Sequence, residues 1–174
     1  MAEPHPPVLK SLKDRLAELG LALPTPAAPV ASYLPATASG DLVVVSGQLP
    51  MRDGALLASG PVPSAVSVAD AAAAARQCVL NGLAAVDLGI AGHWFRFVRV
   101  VRLGVYVWSD AGFGEQHKVA NGASDLLVEV FGDAGRHARA AVGAAGLPLG
   151  ASVEVELMLE VRSQPPARKW WQAF

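Results

Sequence analysis

The chain has 174 residues, which suits one domain large enough to bury a core without staples. Its 14 Lys and Arg against 15 Asp and Glu leave a net charge of −1, so there is no global positive field to draw in nucleic acid. The single cysteine, Cys78, excludes an internal disulfide and a thiolate metal cluster, and no apolar run is long enough to span a bilayer.

The start, Met1 to Pro7, lacks a basic region followed by an apolar one, so a soluble, cytoplasmic protein is expected. Beyond it Val8, Leu12, Leu16 and Leu19 recur at helical spacing and predict a short amphipathic helix ended near Gly20. The proline-rich run 23–29 cannot continue that helix and reads as an extended connector. Ser32 to Ala38 and the valine-rich Leu42 to Ser46 read as a hairpin turning at Gly40-Asp41. A tight turn follows at Asp53-Gly54, with a small edge strand expected over Ala55 to Ala58.

Ser67 and Asp70 fit a capping pattern at the start of a helix running from Ala69 to about Leu88, and Cys78 inside it reads as a small core residue. A long strand is predicted from Phe95 to Trp108, where Gly104 marks a bulge or a close backbone approach. A second long helix is expected from about Gly112 to Phe131, started near Ser109-Asp110, weakened at Gly122 and stopped by Gly132. Residues His137 to Val161 read as a second hairpin with turn signals at Gly146, Pro148 and Gly150. The order β-β-(β)-α-β-α-β-β is most simply packed as an α+β domain, a mixed, mainly antiparallel sheet covered on one face by two helices. Three segments are expected: an N-terminal helix and connector (1–28), the main domain (29–162) and a C-terminal strap (163–174) carrying Trp170-Trp171.

Within the last pair of strands Arg139, Ala141 and Gly143 share one face. A guanidinium among such small neighbours has room for a ligand, and its planar fork suits a carboxylate or phosphate. The alternative is a surface arginine paired with Glu154 or Glu156. His137, two residues before Arg139, either lines the same cleft or acts as an acid or base. His93 and His117 have no carboxylate or cysteine at ligand spacing, so no metal site is expected.

Arg-Ala-Ala-Val-Gly, a short gap, Leu-Pro and then Val-Glu-Val-Glu resemble the C-terminal signature of the RidA (YjgF/YER057c/UK114) family. Val45 to Pro50, Val-Ser-Gly-Gln-Leu-Pro, is similar to the family's N-terminal strand signature, and residues 121–142 align almost without gaps. The resemblance implies a chorismate-mutase-like fold of the bacillus type and a homotrimer with sites in clefts between subunits. It implies that Arg139 grips a substrate carboxylate and that Glu154 works on water. Tyr33, Ser46 and Asn121 match the other polar pocket positions, while Gly47 and Ala141 match places where backbone groups meet the ligand. Taken singly, Tyr33 also fits a core or interface aromatic, Ser46 a strand-end hydroxyl bonded to backbone, and Asn121 a polar helix residue. Ser32 to Pro35 replaces the usual Gly-Pro-Tyr lead-in, and Ala141 stands where several members carry cysteine, marking a divergent branch.

The activity implied is that of a 2-iminobutanoate/2-iminopropanoate deaminase-like hydrolase, releasing ammonia and a 2-oxo acid without metal or organic cofactor. A non-catalytic carboxylate-binding or regulatory protein of the same fold is the alternative. The endoribonuclease or translation-inhibitor activity also attached to the family is the weaker one, because no basic stripe is present. The partner expected is a small carboxylate, with neither membrane nor nucleic acid engaged.

Overall fold

The structure is a computed structural model, and it describes residues 11–26 and 32–162. Val8, the end of the proline-rich connector and the strap with Trp170-Trp171 lie outside the described residues.

Helix α1 spans Leu12–Glu18, capped by the Ser11 hydroxyl, which accepts from the Asp14 amide. Its Leu12 and Leu16 are fully buried in the core shared by the rest of the chain. Strands β1 (Ala36–Ser39) and β2 (Leu42–Gln48) form the expected hairpin, with Gly40 at φ +59° in the turn. Asp53 and Gly54 both take positive φ and join β3 (Met51–Arg52) to β4 (Ala55–Leu56), but this hairpin is a separate two-stranded sheet rather than an edge of the main one.

Helix α2, Val68–Gly89, starts at Ser67, whose hydroxyl accepts from the Asp70 amide. Its Ala71, Ala74, Ala75 and Cys78 are buried, small residues that let it lie close against its neighbours. Strand β5 runs from Phe97 to Trp108; a 3-10 turn over Trp94–Arg96 takes the start expected of it. Helix α3 spans Gln116–Phe131 and ends at Gly132, φ +60°. It starts later than Ser109-Asp110 because the Asp110 carboxylate is engaged by the Ser64 amide and hydroxyl, at 2.8 and 2.9 Å, and caps nothing of α3.

Strands β6 (Ala138–Ala144) and β7 (Val153–Val161) are not a hairpin. The sheet order is β1-β2-β7-β5-β6, so β5 lies between them, parallel to β6 and antiparallel to β7. The connection crosses the end of β5 through a 3-10 turn at Pro148–Gly150, held by bonds from Gly60 N to Gly150 O and Ser152 N to Ala58 O. The mixed, mainly antiparallel sheet with helices on one face is thus the α+β fold expected, with α1 as a third helix.

On β7 the pattern alternates strictly: Val153, Val155, Leu157, Leu159 and Val161 are buried toward the helices, while Glu154, Glu156, Met158 and Glu160 turn to the open face. Arg15 of α1 donates to the carbonyls of Glu129 and Val130 at 2.7 and 3.2 Å, placing a cation at the negative end of α3, whose last turn has no basic residue. Arg76 of α2 and Glu129 of α3 make a two-pronged ion pair.

Gly122 is where the α2 and α3 backbones meet, since a Cβ there would fall 2.0 Å from the Ala72 carbonyl oxygen. In an exposed helix Gly→Ala stabilises by up to about 1 kcal/mol. Here the sign reverses: Gly122→Ala is expected to cost about 1–3 kcal/mol, read as a lower urea midpoint. Gly114→Ala, with nothing within 4 Å, leaves the midpoint unchanged.

Candidate carboxylate-binding site

Arg139 is on the edge strand β6, opposite Leu103 of β5, so its side chain rises on the helix-covered face. It pairs with neither Glu154 nor Glu156. Its Nη1 donates to Asn121 Oδ1 and to Ser124 Oγ, both at 3.0 Å. Asn121 and Ser124 are three apart on α3, hence on one helix face, and together they take both hydrogens of Nη1. No bond within the described residues engages Nε or Nη2. These two nitrogens form the side-on fork of a guanidinium, the edge that holds a carboxylate with two parallel bonds.

Ser124 Oγ also lies 3.1 Å from His137 Nε2, and His137 Nδ1 lies 2.6 Å from the Gly135 carbonyl oxygen. Burial, and to a lesser degree Arg139, hold the half-buried imidazole below its ordinary value. Ala141 follows on β6, on the same face as Arg139. Because β6 is an edge, half of its backbone N–H and C=O groups face away from β5.

The remaining expected residues lie elsewhere. Between the pairs Val45–Leu157 and Gln48–Val155, β2 has two residues, Ser46 and Gly47, against the single Glu156 of β7, a β-bulge. Glu154 lies across the gap: a Cβ on Gly47 would fall 1.8 Å from its Oε1, so any side chain there would push that carboxylate aside. Gly104 has the same part under Glu156, whose Oε1 receives Arg102 Nη1 at 2.5 Å and the Tyr106 hydroxyl at 3.0 Å. Burial first, and then the charge of Glu156, push the Glu154 carboxyl above its ordinary 4.5. The Ser46 hydroxyl donates to the Leu34 carbonyl at 2.7 Å, leaving its lone pairs for a ligand. Tyr33 is half exposed and, with Gly47, lines a cleft of about 580 Å³ that Pro24, Leu49, Met51 and Asn81 also border.

Within one chain, then, the residues form two groups. Arg139, Asn121 and Ala141 gather at the β6 edge; Tyr33, Ser46, Gly47 and Glu154 gather around β2 and the open face. Glu154 is opposite Tyr106, on the face away from Arg139 and two strands distant.

The family model described as "YjgF/chorismate_mutase-like, putative endoribonuclease" matches residues 13–161. The chain belongs to the YjgF family. Protein TCP17 of Trypanosoma cruzi is 44% identical over 149 residues, 85% of this chain and 92% of its own. The crystal structure of Atu1372 from Agrobacterium tumefaciens is 44% identical with a TM-score of 0.81, covering 90% of this chain and 95% of its own. That of "a putative endoribonuclease" from Shewanella oneidensis is 33% identical with a TM-score of 0.82, covering 87% and 100%.

In this YjgF-family chain the sequence reading passed over Ser124. Its signal was the spacing, since Asn121 and Ser124 are one helical turn apart and share whatever Asn121 faces. Cys78 is wholly buried, 3.9 Å from the Val153 carbonyl, with its thiol pushed well up, first by burial. It packs in the core, as expected, and is far from a reactive thiolate.

The raised Glu154 carboxyl sets the sign of a stability effect. An unfolded chain releases that proton near pH 4.5, before the folded one does, so the stabilisation is complete below 4.5 and is lost as pH rises through the higher folded value. Glu154→Gln is therefore expected to melt higher than wild type at pH 7. Scanning calorimetry across pH should show the difference shrinking below pH 4.5.

Proposed function

We propose that the chain is a hydrolase of small enamines and imines derived from amino acids, releasing ammonia and a 2-oxo acid. The observation that carries this reading is Arg139: Nη1 is tied to α3 and the Nε/Nη2 fork is left for a carboxylate. The site is completed when copies of the chain pack in a ring, the β6 edge of one against the β2 group of the next, as in a homotrimer. A head-to-tail contact of that kind joins two different surfaces and closes by rotation. It brings Arg139, Asn121 and Ala141 to Tyr33, Ser46, Gly47 and Glu154 across one cleft.

The chemistry asks little of the protein. A protonated imine beside a carboxylate already has an electrophilic carbon. Arg139 holds the carboxylate and so fixes that carbon in place. Glu154, ionised, takes a proton from the attacking water as the new C–O bond forms. Glu154 returns that proton to the nitrogen of the resulting carbinolamine, the C–N bond breaks as the carbonyl forms, and the departing ammonia takes up the hydroxyl proton to leave as ammonium. One water is consumed, one 2-oxo acid and one ammonium are formed, and no electrons are transferred. With its proton affinity raised, the ionised Glu154 carboxylate is a better proton acceptor than an ordinary glutamate.

The endoribonuclease description carried by the Shewanella relative has less support in this chain. Among the described residues, Arg99 and Arg102 of β5 are spent on carboxylates, Arg99 on Glu160 at 3.0 Å and Arg102 on Glu156, and form no basic track for a phosphate backbone.

With imino acids generated by an amino-acid oxidase, Arg139→Ala is expected to lower kcat/KM by about 100-fold or more. Arg139→Lys recovers part of that, since an ammonium keeps the charge but not the fork. Equal rates in wild type and Arg139→Ala would remove Arg139 from the site. The kcat/KM profile of wild type should fall on its acid side through a value above 4.5, and Glu154→Gln should lose that limb together with about 100-fold in rate.

A further inference from the structure

Behind Arg139 runs a chain of hydrogen bonds whose direction is fixed at both ends. A guanidinium only donates, so Ser124 Oγ is the acceptor for Arg139 Nη1. A carbonyl only accepts, so His137 Nδ1 bears the proton given to Gly135. The neutral imidazole then offers Nε2 as an acceptor, and the Ser124 hydroxyl donates to it. The order is Arg139 to Ser124 to His137 to the Gly135 carbonyl. The last group is itself held: a Cβ on Gly135 would fall 2.1 Å from the Leu127 carbonyl, so this turn lies directly on α3.

We infer that Ser124 and His137 are positioning residues for carboxylate capture: His137, held as its Nδ1–H tautomer, orients the Ser124 hydroxyl, which with Asn121 locks the plane of Arg139 and turns its Nε/Nη2 edge to the ligand. This rests on the reading of Arg139 as the carboxylate clamp. A guanidinium at a strand edge can otherwise rotate about its terminal torsions. Fixing one nitrogen at two points removes that freedom before the ligand arrives, which lowers the ordering cost of binding.

The imidazole must stay neutral for the order to hold, because protonation turns Nε2 into a donor and leaves the Ser124 hydrogen without its acceptor. The charged groups placed around it are Arg139 on β6, Asp125 beside Ser124 on α3, Asp133 and Arg136 on the preceding turn, and Arg102 opposite Ala138 on β5. Asp133 and Arg136 pair with each other at 3.1 Å, and Arg102 is engaged by Glu156 on the other face. No ion pair within the described residues joins His137 to a carboxylate.

The test has a binding arm and a spectroscopic arm, both on the full chain. In the first, the affinity for 2-oxobutanoate is measured by titration calorimetry at pH 7.5. Ser124→Ala is expected to weaken it about tenfold and Ser124→Thr, which keeps the hydroxyl, to restore it to within about twofold. His137→Phe should weaken it comparably, with His137→Gln, whose amide oxygen reaches the place of Nε2, recovering most of the loss. The Ser124→Ala/His137→Phe double variant should be no weaker than the worse single one, since both act through one bond to Arg139. Affinity unchanged in Ser124→Ala, failed rescue by threonine, or additive losses would each overturn the inference. If His137→Phe does not fold, the Ser124 pair and His137→Gln decide it alone.

In the second arm, 15N NMR of the ligand-free protein at pH 7.5 should show His137 neutral and protonated on Nδ1. An Nε2–H tautomer or an imidazolium overturns the inference whatever the binding data say. Wild type that binds no 2-oxobutanoate would instead overturn the carboxylate reading, and the proton order would be judged by NMR.

Discussion

The antiparallel pairing of β7 with β5 decides what each face of the sheet can do. Strict alternation sends five apolar side chains of β7 into the core under the helices and three carboxylates to the opposite face. A one-residue slip would bury the carboxylates and expose the core, so this register is tightly specified. Glu154 and Glu156 then need room on a face whose neighbouring strands carry side chains of their own. Gly47 on β2 and Gly104 on β5 supply it, each lying directly beneath one carboxylate. Crowding by protein and by each other is what lifts the Glu154 carboxyl, so the acid–base property follows from the packing.

The same register separates the proposed carboxylate clamp, Arg139, from the proposed base, Glu154. Arg139, in line with Leu103 and Leu157, rises beside α3; Glu154, in line with Tyr106, points the other way. A single copy thus has one half of the proposed cleft at its β6 edge and the other on the open face of β2 and β7. The strand that holds Arg139 leaves a row of backbone groups open along its outer side, the edge assigned to the neighbouring copy in the proposed ring.

Local chemistry was legible in the sequence wherever the signal was short-range. Ser67 capped α2, Asp53-Gly54 made its two-residue turn, Gly132 stopped α3, and the valines of β2 formed a strand. What depended on distant partners was not. The turn residues between β6 and β7 are real, but nothing local says that β5 inserts between the two strands, and a hairpin is the default reading of such a pattern. Asp110 looked like a helix cap and is instead claimed by Ser64, forty-six positions earlier in the chain. Gly122 looked like a weak point and is a backbone contact. The site residues were read from a resemblance, and their division between the β6 edge and the open face of β2 and β7 follows from strand order, which no single motif encodes.

Arg15 gives the N-terminal helix a reach beyond its own packing. It neutralises the carbonyl end of α3, and α3 is the helix whose Asn121 and Ser124 hold Arg139. The family match begins at residue 13, inside α1, so a chain trimmed to that boundary would keep Arg15 but lose Ser11, the cap that starts the helix carrying it. Fraying would pass from a missing hydroxyl to a loosened arginine and on to the last turn of α3. The ordering of the proposed clamp is in that sense inherited from a helix that makes none of the hydrogen bonds to Arg139.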